Sequence, residues 1–400
     1  MTRQAHFFPA DQRGFTLIEL MITLALSLLV LIGLSSVYIA VGQSFRFQET
    51  TGRLQEDANF ALDSISRDLR MAGFAGCAGV KSVQVGGAGS PLVYYPSSVL
   101  SSSSPDGFNG VNPLAQIVTS GDGAAEIALQ PFTAKGFVRG FDGGIPAGMV
   151  PATNPTPLAG SDSLFFAGGS INSVALSAPM LTTTSPLTIA ADTYGWRNAT
   201  ANDGQYDMIV SDCNVSSIFK GKVGVSGGVT TIAHDTGLDN STGVFQSGTD
   251  ENMFKADAVV MLAQWNFFYI ATRPGSLTPS LYRVTFNGNT RLNAEEIVSN
   301  VEGMQLHFGE NTGFDSFGLP TLVADQWRTT AAAVTDWSRV VAVRVGLMMV
   351  SAENGTNTDV AQQSLTLLGQ GYTVPAGASA MRLRKEFSTT VVLRNSVAAR

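Results

Sequence analysis

Charged residues, cysteine and histidine are scarce in this sequence. Charged residues make up 14% of the 400 positions, and the chain has two cysteines and three histidines. Two cysteines exclude a fold held by many disulfides, since they can form one bridge at most. Three histidines without a His-Glu-x-x-His pattern argue against a histidine-rich metal site. A hydrophobic content of 44% excludes a disordered chain, and 42 glycines with so little charge favour strands and loops.

Nucleotide-binding signatures are also missing. The sequence has no Walker motif and no dinucleotide-binding glycine pattern. Its net charge of −7, from 24 basic and 31 acidic residues, argues against a general nucleic-acid binder, because such proteins usually carry a positive face. We therefore expect no enzyme activity, no cofactor, no bound metal and no nucleic-acid partner.

One uncharged segment near the N-terminus is long enough to cross a membrane. Residues 22–41 carry no charge, and a helix rises about 1.5 Å per residue against a hydrocarbon core of roughly 30 Å. The apolar run begins at Phe15 and is interrupted only by Glu19, so it is longer than the apolar part of an ordinary secretory signal. An ordinary signal peptide stays an alternative, because residues 40–42 loosely fit a cleavage site.

The flank of this segment and its one carboxylate carry further information. Arg3 and Arg13 precede the span, and basic residues on the cytoplasmic side place the bulk of the chain outside the cytoplasm. A carboxylate inside an apolar helix is costly unless it is paired. Two interpretations of Glu19 follow. It lies at the membrane interface, where its carboxylate reaches the headgroups or is protonated, or it pairs with a positive group on another chain.

The residues around Glu19 resemble the prepilin processing site of type IV pilins and type II secretion pseudopilins. That family has a short basic leader ending in Gly, cleavage before a Phe that becomes N-methylated, and Glu at the fifth mature position. All three residues are present, as Gly14, Phe15 and Glu19. The resemblance implies that a prepilin peptidase cuts between Gly14 and Phe15, that Phe15 is N-methylated, and that Glu19 pairs with the N-terminal amine of a neighbouring subunit in a filament.

The helix is predicted to continue beyond the membrane. Apolar residues recur at spacings of three and four along residues 54–72, which predicts an amphipathic helix with one buried stripe. Gly73 is a plausible helix stop. We therefore expect a leader over residues 1–14 and one helix over residues 15–73. The stripe consists of Leu54, Ala58, Ala61, Ile65, Leu69 and Ala72.

The rest of the chain is predicted to form a β-rich head of two lobes. Residues 74–255 alternate Gly-, Ser- and Pro-rich stretches with short apolar islands such as 164–166, which is typical of a variable, loop-rich lobe. Residues 256–400 contain longer strand patterns and are predicted to form a sheet lobe. The expected fold class is α+β: a long N-terminal helix, membrane-spanning in its first half and amphipathic in its second, carries a β-rich head, which the resemblance to pilins and pseudopilins implies is pilin-like. The strands predicted in the sheet lobe cover 258–272, 281–286, 340–350 and 389–394.

Three smaller features of the head also lead to predictions. Cys77 and Cys213 are the two cysteines, and outside the cytoplasm they suggest one disulfide, with two buried free thiols as the alternative. His307 lies in an apolar strand pattern and is expected to be a core residue. A basic cluster near the C-terminus is expected to be a solvated edge strand, where charge prevents pairing with other chains. The cluster comprises Arg382, Arg384, Lys385 and Arg394.

Several segments across the chain resemble the PilW-type minor pilins. The resemblance implies a minor pilin that takes part in initiating type IV pilus assembly, within a low-abundance complex of pilins at or near the pilus tip. It implies as partners the prepilin peptidase, other minor pilins, the major pilin and often a tip adhesin. It also implies a path from the inner membrane, as a single-pass protein with a periplasmic head, to the extracellular pilus. The resembling segments are 53–56, 58–77, 211–213, 281–283, 301–309, 337–349 and 387–395.

Two other functions stay open at the level of the sequence. A type II secretion pseudopilin has the same N-terminal motif and differs in what its filament does. A signal-anchored periplasmic binding or adhesin module would recognise a ligand through the loop-rich lobe. Such a module would need no partner for Glu19, which separates it from the two filament subunits.

Overall fold

The described part of the chain forms a helical N-terminal unit and a strand-rich unit. The two compact units are Met1–Arg53 and Leu54–Arg400. The strand-rich head confirms the predicted α+β fold class. The computed structural model describes residues 16–76, 137–145, 150, 155–182, 184–198, 204–212, 216–234, 254–287, 290–291, 293–313, 323–352, 365–375 and 381–395.

One long helix, α1, extends from Leu17 to Leu69 and confirms the predicted N-terminal helix. By length and composition it is the one helix among the described residues that could cross a membrane. The apolar side chains from Leu17 to Val41 are exposed within the single chain. Exposed aliphatic surface of this extent is unfavourable in water, so lipid or other helices are expected to cover it.

The second half of α1 buries one apolar stripe. All six residues predicted for the stripe are at most 3% exposed. They belong to one apolar core together with side chains from both sheets of the head. Packing of this face, more than helix propensity, therefore stabilises this part of α1.

The larger sheet of the head joins eleven strands. Its long members have continuous buried runs, as strands covered on both faces do. The predicted strands at 258–272 and 281–286 correspond to β8 (Val259–Thr272) and β9 (Ser280–Asn287), which pair antiparallel. The strands are β1 (Val138–Phe141), β2 (Thr156–Pro157), β3 (Ser163–Ala178), β4 (Leu187–Ile189), β5 (Gln205–Ser211), β6 (Ser216–Ser226), β7 (Val229–Ala233), β8 (Val259–Thr272), β9 (Ser280–Asn287), β10 (Thr290–Arg291) and β11 (Glu295–Ser299).

Six of these strands close into a small barrel. β3 pairs with β4, β4 with β7, β7 with β6, β6 with β5, β5 with β8, and β8 again with β3, each pair antiparallel. The ring closes because β8 pairs with β3 along one edge, over residues 259–268, and with β5 along the other edge, over residues 259–262. Closure removes the free edges of these strands. The interior is filled by an apolar cluster that includes Leu187, Ile189, Met208, Val210, Phe219, Ile232, Val260 and Leu262.

The second sheet has four strands in the order β13-β12-β14-β17. Its central strand β14 coincides with the predicted run 340–350, and β17 begins five residues before the predicted run at 389. One face, the inner face, contributes Leu306, Phe308 and Val345 to the core shared with α1. The strands of this region are β12 (Val301–Glu310), β13 (Gln326–Arg328), β14 (Val340–Val350), β15 (Thr366–Leu367), β16 (Gln370–Gly371) and β17 (Arg384–Val392).

The opposite face of this sheet, the outer face, is covered at two places. A Cβ at Gly303 would lie 2.8 Å from the Tyr372 ring, and a Cβ at Gly346 would lie 2.6 Å from Leu368. At the other end, the Trp327 ring lies over Gly309, 3.3 Å from where a Cβ would be. Glycine therefore makes room for the covering side chains, and part of the outer face remains between the two covers.

The end of α1 packs directly against the backbone of β3. Gly73, with φ +74°, donates its N–H to the Ala167 carbonyl at 2.8 Å. A Cβ at Gly168 would lie 2.4 Å from the Met71 carbonyl oxygen, so only glycine fits at this crossing. The predicted stop at Gly73 thus coincides with a change of chain direction that connects the helix to the sheet.

A short segment before β3 connects the two sheets. The Asp162 carboxylate accepts hydrogen bonds from the backbone N–H groups of Gly143 and Leu306, both at 2.9 Å. Ser161 Oγ accepts one from the Met304 N–H at 2.9 Å. This segment occupies the edge of β12 that β13 leaves free. Burial, opposed by the two backbone N–H groups, raises the pKa of Asp162 to about 6, and Asp142 adds to the rise.

Candidate functional site

The first turn of α1 holds Glu19 in a reciprocal cap. Thr16 donates to Glu19 Oε2 from its backbone N at 3.3 Å and from its hydroxyl at 3.1 Å. In return, the Glu19 N–H donates to the Thr16 hydroxyl oxygen at 3.3 Å. These are the contacts of a capping box, in which the N-cap residue and the third helical residue satisfy each other's N–H groups. The signal for it is in the sequence, as Thr16-x-x-Glu19 directly before the apolar run, although the sequence-based prediction considered only a membrane-interface position and an intermolecular pairing for Glu19.

The cap leaves half of the Glu19 carboxylate available. Both hydrogen bonds from Thr16 go to Oε2, and no described residue donates to Oε1. The carboxylate also lies in the first helical turn, where the helix dipole favours a negative charge. The arrangement can therefore hold an ionised Glu19 in place while one oxygen accepts a donor from elsewhere.

Four of the predicted site residues lie outside the described residues. They are the two residues of the predicted cleavage site, Gly14 and Phe15, and the two cysteines, Cys77 and Cys213. Cleavage, N-methylation and the disulfide therefore stay predictions. Thr16, the first described residue, is the neighbour of Phe15, so the cap forms next to the predicted new N-terminus.

The other end of α1 is clamped to the head by polar contacts. The Arg283 guanidinium on β9 binds Asp68 of α1 at 2.5 Å and Glu295 of β11 at 2.7 Å. Burial works against the charge of Arg283, but the hydrogen bonds and charges of Glu295 and Asp68 outweigh it and raise the pKa of Arg283. The Asn395 amide caps the helix end by donating to the carbonyls of Arg70 and Ala72 at 3.3 and 3.2 Å. These contacts fix the last turns of α1 on the sheet.

The predicted basic edge near the C-terminus is wrong for two of its four residues. Arg382 and Arg384 are 4% and 5% exposed, whereas Lys385 and Arg394 are exposed as predicted. Arg384 binds Glu302 through Nε–Oε2 at 2.5 Å and Nη2–Oε1 at 2.9 Å. Arg382 donates to the carbonyl of Ser351 at 2.5 Å. A buried guanidinium needs such partners, and here strand pairing brings them from distant parts of the sequence.

A β-bulge explains how Glu302 reaches Arg384. Val301 pairs with Met349 and Gly303 with Met348, so Glu302 is the extra residue in β12. The bulge turns the Glu302 side chain toward the outer face, where Arg384 lies. Tyr372 covers the pair and donates its hydroxyl to the Glu302 carbonyl at 3.0 Å. Burial, and after it the charge of Glu302, raises the pKa of Tyr372, so this hydroxyl remains a donor.

His307 is buried, as predicted for a core residue, but it faces the outer side of the sheet. It is 5% exposed and pairs across the strands with Arg344, which in turn pairs with Thr390. Arg344 donates from Nε to the Thr390 hydroxyl at 3.2 Å, and its guanidinium carbon lies 4.5 Å from the centre of the Trp327 ring. Burial and then the charge of Arg344 lower the pKa of His307, which keeps the imidazole neutral.

Two kinds of catalytic feature can be checked in the described part of the chain: clusters of metal ligands and one serine motif. No group of three or more His, Cys, Asp and Glu side chains there could hold a metal ion. One Gly-x-Ser-x-Gly pattern occurs, at residues 224–228, and the sequence-based search for catalytic motifs missed it. It forms the turn between β6 and β7 and not the strand-turn-helix that a nucleophilic serine requires, and Ser226 is exposed.

Comparison with known families shows what two parts of the chain are similar to. Residues 9–35 match the prokaryotic N-terminal methylation motif, the processing signal of prepilins. Residues 267–395 match type IV pilus-assembly protein W, so the C-terminal part of the head is similar to that family. The two matches confirm the resemblance found in the sequence, and they support a minor pilin of a type IV pilus, a structural and not an enzymatic family. No curated protein and no solved structure matches the chain.

Proposed function

We propose that this chain is a minor pilin that takes part in initiating type IV pilus assembly, as part of a low-abundance pilin complex at or near the pilus tip. A prepilin peptidase removes residues 1–14, and the protein stays in the inner membrane with a periplasmic head until it enters the filament. Its partners there are other minor pilins and the major pilin, and a tip adhesin is a candidate partner of the head.

The observation that supports this proposal best is that the Glu19 carboxylate is held by a cap but keeps one oxygen without a described donor. The capping box fixes the carboxylate, and Oε1 accepts no hydrogen bond from a described residue. The apolar side chains around it are exposed, so a neighbouring helix can lie directly against this turn. A charge in apolar surroundings is tolerated when an opposite charge is buried with it. The N-terminal amine of a neighbouring subunit would supply that charge and would fix the register between the helices.

Two substitutions at Glu19 separate its charge from its cap. Gln at this position can still form a capping box but carries no charge, whereas Ala removes both. We expect Glu19→Gln and Glu19→Ala to be processed and methylated at Phe15 but to be missing from sheared pili, with reduced piliation. The matched control is Glu49→Ala, which removes an exposed carboxylate of the same helix.

The measurements are the mass of the N-terminal peptide, the amount of the protein in purified pili, and the number of pili per cell. Normal incorporation of Glu19→Gln would show that the cap and not the charge is required, which contradicts the pairing. Normal incorporation of Glu19→Ala as well would favour a signal-anchored binding module. A deletion strain that keeps its pili but fails to secrete proteins would instead indicate a type II secretion pseudopilin.

A further inference from the structure

The open part of the outer face carries an unusual row of polar side chains. His307, Arg344 and Thr390 are cross-strand neighbours on β12, β14 and β17. They lie between the two covers of the outer face, Trp327 on one side and Leu368 on the other. Arg344 is half-buried and Thr390 exposed, so the row runs from a buried end to an open end.

Two groups in this row lack partners in the described part of the chain. His307 Nε2 is buried and has no hydrogen-bond partner there. Arg344 makes one hydrogen bond there, from Nε to Thr390, and no ion pair, so Nη1 and Nη2 have no described acceptor. Buried polar atoms are usually satisfied, and the exception at His307 Nε2 indicates a missing ligand or a functional role. Arg344 is only half-buried, so its Nη1 and Nη2 can donate to an acceptor from outside the chain.

The chemistry of the row selects the kind of ligand. The Trp327 ring lies against the guanidinium, whose carbon is 4.5 Å from the ring centre, and a guanidinium presents Nη1 and Nη2 as a planar fork that suits a flat acceptor with two oxygens. His307 is neutral, so the row carries one positive charge. Among the described residues, the other charged groups on this face include Glu386, whose carboxylate accepts the Leu368 N–H, and the Glu302–Arg384 pair. A single charge beside a neutral donor suits a singly charged planar anion better than a phosphate.

We propose that this row is a binding site for a carboxylate group, held in a bidentate contact by Arg344 and hydrogen-bonded by His307. The ligand enters over the exposed Thr390 and Ser388 of β17, which pairs with β14 and with no other described strand. The row lies on the face of the sheet opposite to the core that the sheet shares with the second half of α1. Two sources would supply such a group: an acidic side chain of a protein or an acidic sugar.

Histidine NMR on the mature full-length chain in detergent tests the site. The mature chain keeps two histidines, His234 and His307, because His6 lies in the predicted leader. His234 is an internal reference, since its Nε2 lies 2.8 Å from the Ser185 carbonyl inside the barrel region. The probes are N-acetyl-aspartate methylamide and glucuronate, added at constant ionic strength against sodium chloride. We expect a saturable shift of the His307 ring signal, a rise in its pKa, and no change at His234.

Variants at Arg344 and one control test the assignment. Arg344→Gln should weaken binding at least tenfold, and Arg344→Lys should weaken it as well, because Lys keeps the charge but loses the planar fork. Lys385→Gln removes an exposed cation from the same strand β17 and should bind as the natural protein does. Thr390→Val, a change of one exposed group, should weaken binding through loss of the Nε contact, and it provides a second variant if Arg344→Gln does not fold.

Comparing the two probes distinguishes an acidic sugar from an acidic protein side chain as the ligand. Tighter binding of glucuronate assigns the site to an acidic sugar, tighter binding of the aspartate derivative assigns it to a protein, and equal binding supports a general carboxylate site. No saturable shift with either probe would overturn the proposal. The same shift in the Arg344→Gln variant, or the same shift at His234, would also overturn it.

Discussion

The buried Glu302–Arg384 pair offers the sharpest test of how the four-stranded sheet is stabilised. The two side chains are 1% and 2% exposed and are joined by two hydrogen bonds in a bidentate contact. Removing one partner leaves the other charge buried without compensation, which typically costs about 3–5 kcal/mol. We therefore expect Glu302→Gln to lower the free energy of unfolding of the head by about that amount.

The reasoning also predicts what the double replacement does. Apolar residues of similar volume in place of a buried ion pair are often neutral or stabilising, because no charge has to be desolvated. Glu302→Leu combined with Arg384→Met should therefore recover most of the stability that Glu302→Gln loses. The matched control is Arg273→Gln, which breaks a more exposed contact to Glu296, at 3.6 Å, and should cost less than about 1 kcal/mol.

Urea denaturation of the full chain in detergent, followed by near-ultraviolet circular dichroism, measures these differences. A loss of stability below about 1 kcal/mol for Glu302→Gln would refute the stabilising role of the buried pair, because a buried guanidinium without its counter-charge should destabilise the fold by more than that. A double variant as unstable as Glu302→Gln would also refute it, since the cost would then come from shape and not from unpaired charge.

Three further predictions concern other parts of the head. Asp162 has a pKa of about 6 in the folded chain against 3.8 in the unfolded chain, so the folded state binds the proton more tightly. The head should therefore gain stability as pH falls from 7 to about 4. An Asp162→Asn variant should lose this gain, and an unchanged pH profile of that variant would contradict the prediction. Gly168→Ala should cost about 1–3 kcal/mol through its clash with the helix end, while Gly224→Ala, with open space around it, should be nearly neutral in the same denaturation assay. If Cys77 and Cys213 form a disulfide, Ser at either or both should lower stability equally, by about 2–5 kcal/mol, and two free thiols in the mass of the alkylated chain would show that there is no bridge.

Local periodicity made the helix and the long central strands predictable. The stripe of α1 depends on spacings of three and four, which are visible within a few turns, and all six of its predicted members are buried. β14 was predicted at its observed bounds because a run that is apolar on both faces is typical of a central strand. In both cases the pattern of buried residues can be recognised within one continuous stretch of sequence.

The barrel could not be predicted in this way. Leu164–Phe166 was interpreted as a short apolar island in a loop-rich lobe, yet it belongs to β3, a strand of 16 residues. β3 contains Gly168 and Gly169, which break its apolar pattern because they accommodate the helix end. Ring closure also depends on pairing between β3 and β8, which lie almost a hundred residues apart in the sequence, and no local signal contains that contact.

The prediction that Arg382 and Arg384 are exposed was wrong for a related reason. Arg382 and Arg384 were predicted to be exposed because charge is normally solvated. The partner of Arg384 is Glu302, which reaches it only because a bulge in β12 changes the side on which Glu302 projects. A pattern with a strict period of two assigns Glu302 to the wrong face, so neither the pair nor its burial follows from the sequence.

Glu19 shows why a conserved-looking motif and its physical role need separate tests. The Thr16-x-x-Glu19 spacing satisfies the rule for a capping box, and the Phe15-to-Glu19 spacing satisfies the rule for a prepilin. Both rules require a Glu at the same position, so the motif alone cannot say which interaction makes it necessary. The structure shows that the cap uses Oε2 and engages no described donor at Oε1, so the two roles are compatible on one carboxylate. The cap would then orient the charge before any neighbouring subunit arrives, and Glu19→Gln is the change that keeps the first role and removes the second.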